Sequence, residues 1–600
     1  MFRITGLILA FCFSTGFISA QTSPYPKGYF RWPLELKPEI VANLGELRSN
    51  HWHMGLDIRT AQQVNKRVLA AADGYIAYVG IRPLSFGRFI IINHANGLST
   101  LYAHLNNFEP ALEKYVTEQQ YLQESWAVEL AIPAGLFPVK KGTFISYSGT
   151  TGGSQGPHVH FEIRNTKTGK CLNPLLFGMP LRDAVKPVIA KLAMYDRTQS
   201  IYKSKPRLFA VKNSLTGATL TAGSVIKTGS SRVSLGLQTY DQITGSPNRD
   251  GIYAAELYVD GVQQIKYVID SVGYDETRYM NAHIDYSFDF NGGAYLQHLS
   301  RLPGNHSSVY QPQEADGVIH LTDKDLHDVR VVVYDAYTNK TTLQFKIQYD
   351  PASDTGRDID DAGPSFVPNY VNILEKPDFE LYMKEDAVYD TVSPFYYRTA
   401  PAGVNAVTAM HQLNDPSVPL HSLATVRIKP EKPVPDEWKD KLVIERSYRG
   451  SRTVRKADWQ DGWLAAEFSD FGFYRGYVDL EPPVVPGIGS GDTVNMSGKT
   501  SIVFTPTDNF GIKSFRAELN GNWLRFTNDK ARTWIYKFDE RCPYGVHHLR
   551  VRVEDLAGNI TIKQWWFKRS AYRPPVKKAP VRKTTSKAKP AVKKPAPRKK

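Results

Sequence analysis

The sequence predicts a mainly β protein made of several domains, and three observations support this prediction. The chain has 600 residues, about four times the usual length of a single domain. Aromatic residues make up 12% of it, with 33 Tyr, and aromatic side chains favour strands. Short runs of alternating apolar and polar residues recur between turn signals over residues 181–570, as they do in antiparallel sheets.

Two of these runs share one pattern. Residues 331–339 and 551–559 both match V-x-V-x-D-x-x-x-N, in which a strand is followed by a tight polar turn. Upstream, the pairs Asp260-Gly261 and Asn520-Gly521 are typical hairpin turns, and each follows a Gly-Ile pair at the same spacing. The sequence therefore predicts two copies of one module, which resemble the immunoglobulin-like β-sandwich modules of bacterial surface proteins. We place the copies at 185–350 and 490–570.

A third β domain is predicted at 365–482, because strand-like runs continue between Pro-rich breaks at 351–364 and 482–487. Nothing in these three modules groups His, Asp, Glu or Cys into a recognisable site. We expect the modules to serve in spacing, packing or binding.

The N-terminus has the features of a secretion signal. Arg3 precedes an apolar run, and Ala20 provides a small residue at a plausible cleavage point, so residues 1–20 are predicted to be removed on export. A membrane anchor and a lipoprotein signal at Cys12 are the alternatives. We expect an exported protein of the periplasm, the cell envelope or the exterior.

The net charge of +15 is concentrated at the C-terminus. Residues 573–600 are rich in Lys, Pro and Ala and contain no acidic residue, so this tail is predicted to be disordered. It is either a solvated spacer or a contact for an anionic polymer or membrane surface. Nucleic acid is not an expected partner of an exported chain.

The cysteine content excludes a disulfide framework. Besides Cys12, the chain has only Cys171 and Cys542, which lie in different predicted domains, so we expect no bridge between them. Two cysteines are also too few for a cysteine-rich zinc site.

Three segments of the first 180 residues carry the residues suited to catalysis. They are HWHMGLDIRT at 51–60, LSTLYAHL at 98–105 and SGTTGGSQGPHVHFEIR at 148–164. In the third segment alternate residues are apolar, so the opposite face of the predicted strand presents His158, His160 and Glu162.

The other two segments add further metal-ligand residue types. His104 lies on the polar face of its predicted strand, and His53 and Asp57 flank Gly55. Catalytic zinc takes three protein ligands plus water, and imidazole and carboxylate are both suitable. His53, Asp57 and one histidine of the third segment would complete such a set. A lone histidine is usually an ordinary polar residue, but three such segments together predict a metal site.

These residues lead to a resemblance. His53-x-Gly55-x-Asp57, residues 102–105 (YAHL) and residues 156–162 (GPHVHFE) together resemble the signature of the M23 (LytM/lysostaphin-type) zinc metallopeptidases. The flanking segments 68–74 and 92–97 are also similar, and the resemblance covers about residues 45–180.

The resemblance implies a ligand set and a fold. It implies Zn²⁺ bound by His53, Asp57 and His160, with His104 and His158 as catalytic imidazoles. It also implies a small antiparallel β metallopeptidase domain, which we place at 21–182, with its site in a groove. Three β-sandwich domains and the disordered basic tail would follow. Two further histidines match no ligand position and are expected to be structural: His51 and His94.

The implied activity is hydrolysis of peptide bonds in peptidoglycan, the expected substrate and partner. Two other hypotheses remain open. One is a catalytically inactive M23-like scaffold, and the other is a cell-envelope binding or adhesion protein in which the β modules dominate.

Glu162 is expected either to orient a metal ligand or to be exposed.

An insertion at about 106–142 separates the second and third segments. It contains an approximate helical stripe, which predicts either a helix packed on the edge of the domain or a lid over the groove. The stripe consists of Leu112, Tyr115, Gln119, Leu122 and Trp126.

Overall fold

The protein is described by a computed structural model over residues 25–312, 315–353, 363–400 and 403–571. The predicted signal at 1–20 and tail at 573–600 lie outside these ranges. Within them the fold is mainly β, as predicted. Both cysteines of this region are free and buried, as expected. No helix of the described residues is long and apolar enough to cross a membrane.

The first part of the chain is built from short strands around one helix. Its elements are β1 (Ile40–Ala42), β2 (Leu47–Arg48), β3 (His51–Trp52), β4 (Leu56–Arg59), β5 (Arg67–Leu69), β6 (Gly74–Ile81), β7 (Arg88–Asn93), β8 (Leu98–Ala103), β9 (Leu105–Phe108), α1 (Pro110–Leu122), β10 (Val128–Ala131), β11 (Pro138–Val139), β12 (Phe144–Ser148), β13 (His158–Asn165), β14 (Cys171–Leu172) and a 3₁₀ turn (Pro174–Phe177).

An antiparallel sheet with the order β1-β4-β13-β8-β7-β6-β10 forms the centre of this part. A smaller sheet, β5-β12-β9, packs against it, and apolar side chains of both sheets share one core. Strand β13 lies between β4 and β8, so three segments that are distant in the sequence lie side by side in one sheet.

The second part forms a larger set of paired strands. Its elements are β15 (Val188–Asp196), β16 (Arg207–Ser214), β17 (Gly217–Leu220), β18 (Val225–Thr228), β19 (Arg232–Tyr240), β20 (Ala254–Val259), β21 (Val262–Val268), β22 (Ser271–Val272), a 3₁₀ turn (Thr277–Tyr279), α2 (Met280–His283), α3 (Tyr286–Phe290), β23 (Gln297–His298), β24 (Ile319–His320), β25 (Leu326–Tyr334), β26 (Lys340–Tyr349) and a 3₁₀ turn (Pro351–Ser353).

The first two parts share a core. Trp52, Met54 and Cys171 are buried in one cluster with residues of β15, β20 and β25. Strand β22 also pairs with β14 and so extends the first sheet. The segment 270–290, which was expected to be all-β, contains the short helices α2 and α3 in this contact region. The first part therefore has a core of its own and also contributes side chains to the core of the second.

The third part is a pair of five-stranded sheets, β27-β28-β31-β35-β34 and β29-β30-β36-β32-β33, with an apolar cluster of its own. Its elements are β27 (Asn372–Lys376), β28 (Phe379–Met383), β29 (Tyr396–Thr399), β30 (Met410–Leu413), β31 (Pro419–Ile428), a 3₁₀ helix (Asp436–Lys441), β32 (Leu442–Tyr448), β33 (Ser451–Lys456), β34 (Asp458–Gln460), β35 (Trp463–Asp470) and β36 (Gly472–Val478).

The fourth part has the sheets β37-β43-β42-β39-β40 and β38-β41. Its elements are β37 (Thr493–Asn495), β38 (Ser501–Phe504), β39 (Ile512–Leu519), β40 (Asn522–Trp523), β41 (Trp534–Lys537), β42 (Gly545–Asp555) and β43 (Ile560–Arg569). The domain boundaries at 21–182, 185–350, 365–482 and 490–570 remain predictions.

The predicted hairpins are confirmed. Asp260-Gly261 joins β20 to β21 and Asn520-Gly521 joins β39 to β40, and all four residues have positive φ, as a type I′ turn requires. After β25 and β42, the turns 335–339 and 555–559 close with the same backbone and side-chain hydrogen bonds.

The insertion forms the predicted helix, but its buried face differs from the predicted stripe. Helix α1 begins at Pro110 behind the capping side chain of Glu109, and it buries Leu112, Val116 and Gln120. Leu122 is 77% exposed, because the helix ends there and the buried face follows an i, i+4 spacing.

The outer side of α1 contacts the fourth part. Arg525 donates to Thr117 and Gln120, and Trp523 packs on Tyr121. The helix thus lies at an edge of the domain.

Candidate metal centre

Strand register brings the five predicted site residues into one groove. His160 on β13 pairs with Asp57 on β4 and, on its other side, with Ala103 at the end of β8. His104 follows β8 with a φ of 59°, a left-handed conformation that redirects its side chain from the strand. His158 lies two residues before His160 on the same face, and all five residues line the groove.

Three atoms that could bind a metal ion converge at the centre of this groove. His53 Nε2 lies 2.9 Å from Asp57 Oδ1 and 3.0 Å from His160 Nδ1, and His160 Nδ1 lies 2.9 Å from the same Asp57 oxygen. The three side chains are buried. Gly55 permits this approach, since a Cβ there would lie 2.4 Å from the Phe161 carbonyl oxygen.

The hydrogen bonds of the ring nitrogens that point away from the centre indicate which tautomer His53 and His160 adopt. His53 Nδ1 donates to the Asn43 carbonyl at 2.8 Å, and His160 Nε2 donates to Glu162 at 2.8 Å. The nitrogens that face each other at 3.0 Å are then both lone-pair atoms, which repel unless a cation or a proton lies between them.

This donor set fits zinc. Bonds of about 2.0–2.1 Å in a tetrahedron place ligand atoms roughly 3.3 Å apart, slightly wider than the distances here, and two imidazoles with one carboxylate leave the fourth position open. His53, Asp57 and His160 are the residues that could hold the ion.

A second layer of side chains orients these ligands. Arg48 donates to Asp57 Oδ2 at 2.8 Å. Glu162 is completely buried and accepts hydrogen bonds from His160, Arg164 and Tyr274. Of the two expectations for Glu162, the structure matches the orienting one, and exposure was wrong.

His104 and His158 face the same groove from beside the ligands. Their Nδ1 atoms donate to the carbonyls of Thr151 and Gly156, both at 2.9 Å, so the Nε2 atom of each ring remains for another partner. The two ring centroids lie 4.7 Å apart, and His158 Nε2 is 3.4 Å from Asp57.

The protonation equilibria follow from burial and these contacts. Burial, reinforced by His158 and His160, lowers the pKa of His104 to about 3, so it is neutral at pH 7. Burial also disfavours the charged form of His160, but its hydrogen bonds to Asp57 and Glu162 outweigh this and raise its pKa to about 9. Burial opposes ionisation of Asp57, yet the three surrounding imidazoles hold its pKa well below the usual range.

The two remaining histidines of the segments lie outside the centre. His94 is buried between the Asp73 carbonyl and the Thr100 hydroxyl, so it is structural as predicted. His51 is exposed at the rim of the groove, with Nδ1 bonded to the Ser49 carbonyl.

Other parts of the chain complete the groove, which has a volume of ≈ 1700 Å³. Tyr274 and Tyr295 of the second part line one side. Lys530 of the fourth part does not line the groove, but it donates to the carbonyls of Thr150, Gly152 and Ser154 in the glycine-rich turn before β13. None of the described residues 106–142 lines the groove, so the insertion is not a lid here.

Sequence reasoning missed Arg48, Tyr274 and Lys530. None belongs to a periodic or clustered motif, and Tyr274 and Lys530 are separated from the site by more than 100 residues. Only the three-dimensional fold shows their contacts.

The β fold thus brings two imidazoles and one carboxylate together in a groove, as a set of side chains that could hold a metal ion. Residues 51–126 match the model of Peptidase family M23, and residues 365–479 match that of the Zu5-like domain. Each of these two regions is thus similar to the family whose model it matches, and each match covers less than half of the chain. The M23 match includes His53, Asp57 and His104 but ends before β13.

The relatives described next are similar to about a quarter of the chain. The chain is 32% identical over 144 residues to the cell division protein DipM of Caulobacter vibrioides, covering 24% of this chain and 19% of that protein. It is 34% identical over 128 residues to the DD-carboxypeptidase/endopeptidase Mpg of Neisseria meningitidis, covering 21% and 23%. It is 32% identical over 152 residues to the murein hydrolase activator NlpD of Escherichia coli, covering 25% and 32%.

The chain thus spans less than a third of the length of these curated relatives. Among solved structures, it is similar to the catalytic domain of the M23 protein EnpA from Enterococcus faecalis, with 21% identity and a TM-score of 0.19. That likeness covers 25% of this chain and 99% of the other.

Proposed function

We propose that the protein is a zinc metalloendopeptidase that cleaves peptide bonds of peptidoglycan in the cell envelope. The observation that supports this most is the convergence of His53 Nε2, Asp57 Oδ1 and His160 Nδ1 within 3.0 Å, with the outer nitrogens already bonded. The substrate class is inferred from relatives described as an endopeptidase and as a murein hydrolase activator.

A zinc ion in this centre would act as a Lewis acid and bring the pKa of a water molecule to about 7. His104 and His158 serve in the proton transfers. The Nε2 of one ring accepts the proton of the attacking water, and the same proton then passes to the nitrogen of the leaving amine, so that both rings end the cycle neutral. Their bonds to the Thr151 and Gly156 carbonyls keep both rings turned towards the groove. The products are a carboxylate and an amine.

The second layer keeps the ligands in place during these transfers. Arg48 and the Glu162–Arg164 pair fix Asp57 and His160 through charged hydrogen bonds, which are shorter and stronger than neutral ones. The exported location and the basic tail as a contact for an anionic surface are part of this proposal.

The test uses the full chain, because Trp52, Met54 and Cys171 of the first part are buried in the core of the second. Zinc-loaded protein is incubated with purified sacculi, and released muropeptides are identified by mass spectrometry. We expect peptide fragments with the wild type and after zinc is restored to chelator-treated protein, and none with His160→Ala. His320→Ala, an exposed imidazole far from the groove, is the matched control and should retain activity.

If the chain is an inactive scaffold, no peptide fragments should be released from sacculi. A folded, zinc-loaded chain that sediments with sacculi but cleaves neither sacculi nor glycine-rich peptides would replace the enzyme proposal. Equal retention on sacculi by wild type and His160→Ala, with no cleavage by either, would favour the binding or adhesion hypothesis.

A further inference from the structure

Two groups of three aspartates lie where consecutive β parts of the chain meet. The first acidic cluster is Asp183, Asp241 and Asp335, and the second acidic cluster is Asp479, Asp508 and Asp555. In each, one carboxylate oxygen of every residue lies within 4.8 Å of the other two. No such grouping was expected in these modules from the sequence, because the members are up to 152 residues apart.

Both clusters are assembled in the same way. Each takes one aspartate from the segment that leads into the module, one from a loop and one from the repeated D-x-x-x-N turn. In the leading segments, Asp183 Oδ1 accepts from the Val185 backbone N–H, and Asp479 Oδ1 accepts from the Glu481 backbone N–H, the residue two positions on in each case.

The D-x-x-x-N turns also match. Asp335 and Asp555 each accept the backbone N–H and the side-chain amide of the asparagine four residues later. The repeated sequence motif therefore holds one carboxylate of each cluster in a fixed orientation.

The clusters contain buried carboxylate oxygens with no hydrogen-bond partner. These atoms are Asp183 Oδ2, Asp241 Oδ1 and Asp479 Oδ2, and Asp241 and Asp479 are 4% and 0% exposed. A buried carboxylate without a partner is costly, so an unmatched oxygen at the same place in both clusters points to a missing ligand.

No basic side chain balances the charge. Within the described residues, none of the six aspartates takes part in a salt bridge. Burial, reinforced by Asp335 and Asp183, raises the pKa of Asp241 to about 8, and burial raises that of Asp335 to about 6. Burial raises the pKa of Asp479 and Asp508 as well.

We propose that each acidic cluster binds one Ca²⁺ ion and that the ion stiffens the junction at which the cluster lies. Ca²⁺ takes six to eight oxygen ligands at about 2.3–2.6 Å, so a single ion spans oxygens up to roughly 4.8 Å apart. Zinc prefers nitrogen and sulfur, and Mg²⁺ requires a tighter octahedron.

The first acidic cluster is connected to the candidate metal centre through a short series of contacts. Asp250 is bridged to Asp241, and the next residue, Gly251, exchanges two hydrogen bonds with Asn43. The Asn43 carbonyl is the group that orients His53. A cation in the first acidic cluster thus holds the loop that supports one ligand of the metal centre.

The experiment is a Ca²⁺ titration of the full chain by calorimetry, after removal of Ca²⁺ and with one equivalent of zinc present to fill the metal centre. We expect two Ca²⁺ per chain, with Kd values of about 10⁻⁴–10⁻³ M, as in extracellular modules. Asp241→Asn and Asp479→Asn should each bind one Ca²⁺, and the double variant none. Asp325→Asn, an exposed residue of the same module as Asp241, is the matched control and should bind two.

Thermal melting separates lost binding from lost folding. Without Ca²⁺, the Asp→Asn variants should melt at or above the wild-type temperature, because each removes a buried carboxyl group that has an oxygen without a hydrogen-bond partner. With 10 mM Ca²⁺, the melting temperature should rise most in the wild type and the control, because only these two bind Ca²⁺ at both acidic clusters. The proposal is overturned if the folded wild type binds no Ca²⁺, if the double variant binds as the wild type does, or if equimolar Mg²⁺ displaces Ca²⁺.

Discussion

Glu162 offers the sharpest test of how the metal centre is held together. Its carboxylate is completely buried and accepts hydrogen bonds from His160 Nε2, Arg164 and Tyr274. Glu162→Gln keeps the shape but removes the charge, so His160 loses a charge-assisted bond at its outer nitrogen and becomes a weaker ligand.

The magnitude follows from these contacts. A charged hydrogen bond exceeds a neutral one by about 1–1.5 kcal/mol, close to a factor of ten in affinity. Substitution of groups that orient metal ligands usually costs 10–100-fold, so we expect zinc Kd to weaken by about that range. Arg164 also loses its partner, which should lower the free energy of unfolding by about 3 kcal/mol.

Zinc affinity is measured by competition with a chromophoric chelator, alongside thermal melting. At saturating zinc, kcat should stay within about tenfold of the wild type, because Glu162 positions a ligand and does not touch the substrate. Tyr274→Phe removes one hydrogen bond from the same carboxylate but leaves its charge, so zinc affinity should change by less than about threefold. The reasoning fails if Glu162→Gln binds zinc as tightly as the wild type, or if Tyr274→Phe weakens zinc equally.

Three further outcomes are expected. His104→Ala should lower kcat by about 10²–10⁴ while one zinc per chain remains, and unchanged kcat would remove His104 from the proton transfers. Lys530→Ala should speed amide hydrogen exchange in residues 149–156 without loss of zinc, because the Lys530 Nζ donates to three carbonyls there. Unchanged exchange would show that the fourth part does not hold this turn. Burial, reinforced by Arg197, lowers the pKa of His298 to about 3. Below pH 6.5 the unfolded chain therefore binds more protons than the folded chain. The free energy of unfolding should fall towards pH 4 by up to about 1.4 kcal/mol per pH unit. His298→Phe should flatten that slope, and a melting profile identical to the wild type would contradict this assignment.

The strand patterns and the hairpin turns could be predicted because their signals are local. Alternation in 158–163 placed His158 and His160 on one face, and β13 has that face in the groove. The pairs Asp260-Gly261 and Asn520-Gly521 require positive φ, which few residue pairs adopt readily, so they identify the turns without tertiary information.

Features that depend on distant contacts could not be predicted in this way. Trp52 belongs to a core shared with the second part, although its local segment suggests a separate domain. Leu122 fits an apolar stripe but lies at the end of α1, where nothing covers it. The acidic clusters combine residues whose spacing in the chain has no fixed period.

The measurement that bears most directly on the proposed centre is zinc X-ray absorption of the full chain loaded with one equivalent of zinc. Cys171 Sγ lies 3.2 Å from Glu162, so a sulfur ligand would be a real alternative if the centre rearranged. We predict only nitrogen and oxygen neighbours at about 2.0–2.1 Å, an imidazole signal from two rings, and loss of this spectrum in His160→Ala. A sulfur neighbour at about 2.3 Å, or a spectrum that His160→Ala leaves unchanged, would contradict the assignment of His53, Asp57 and His160 as the ligands.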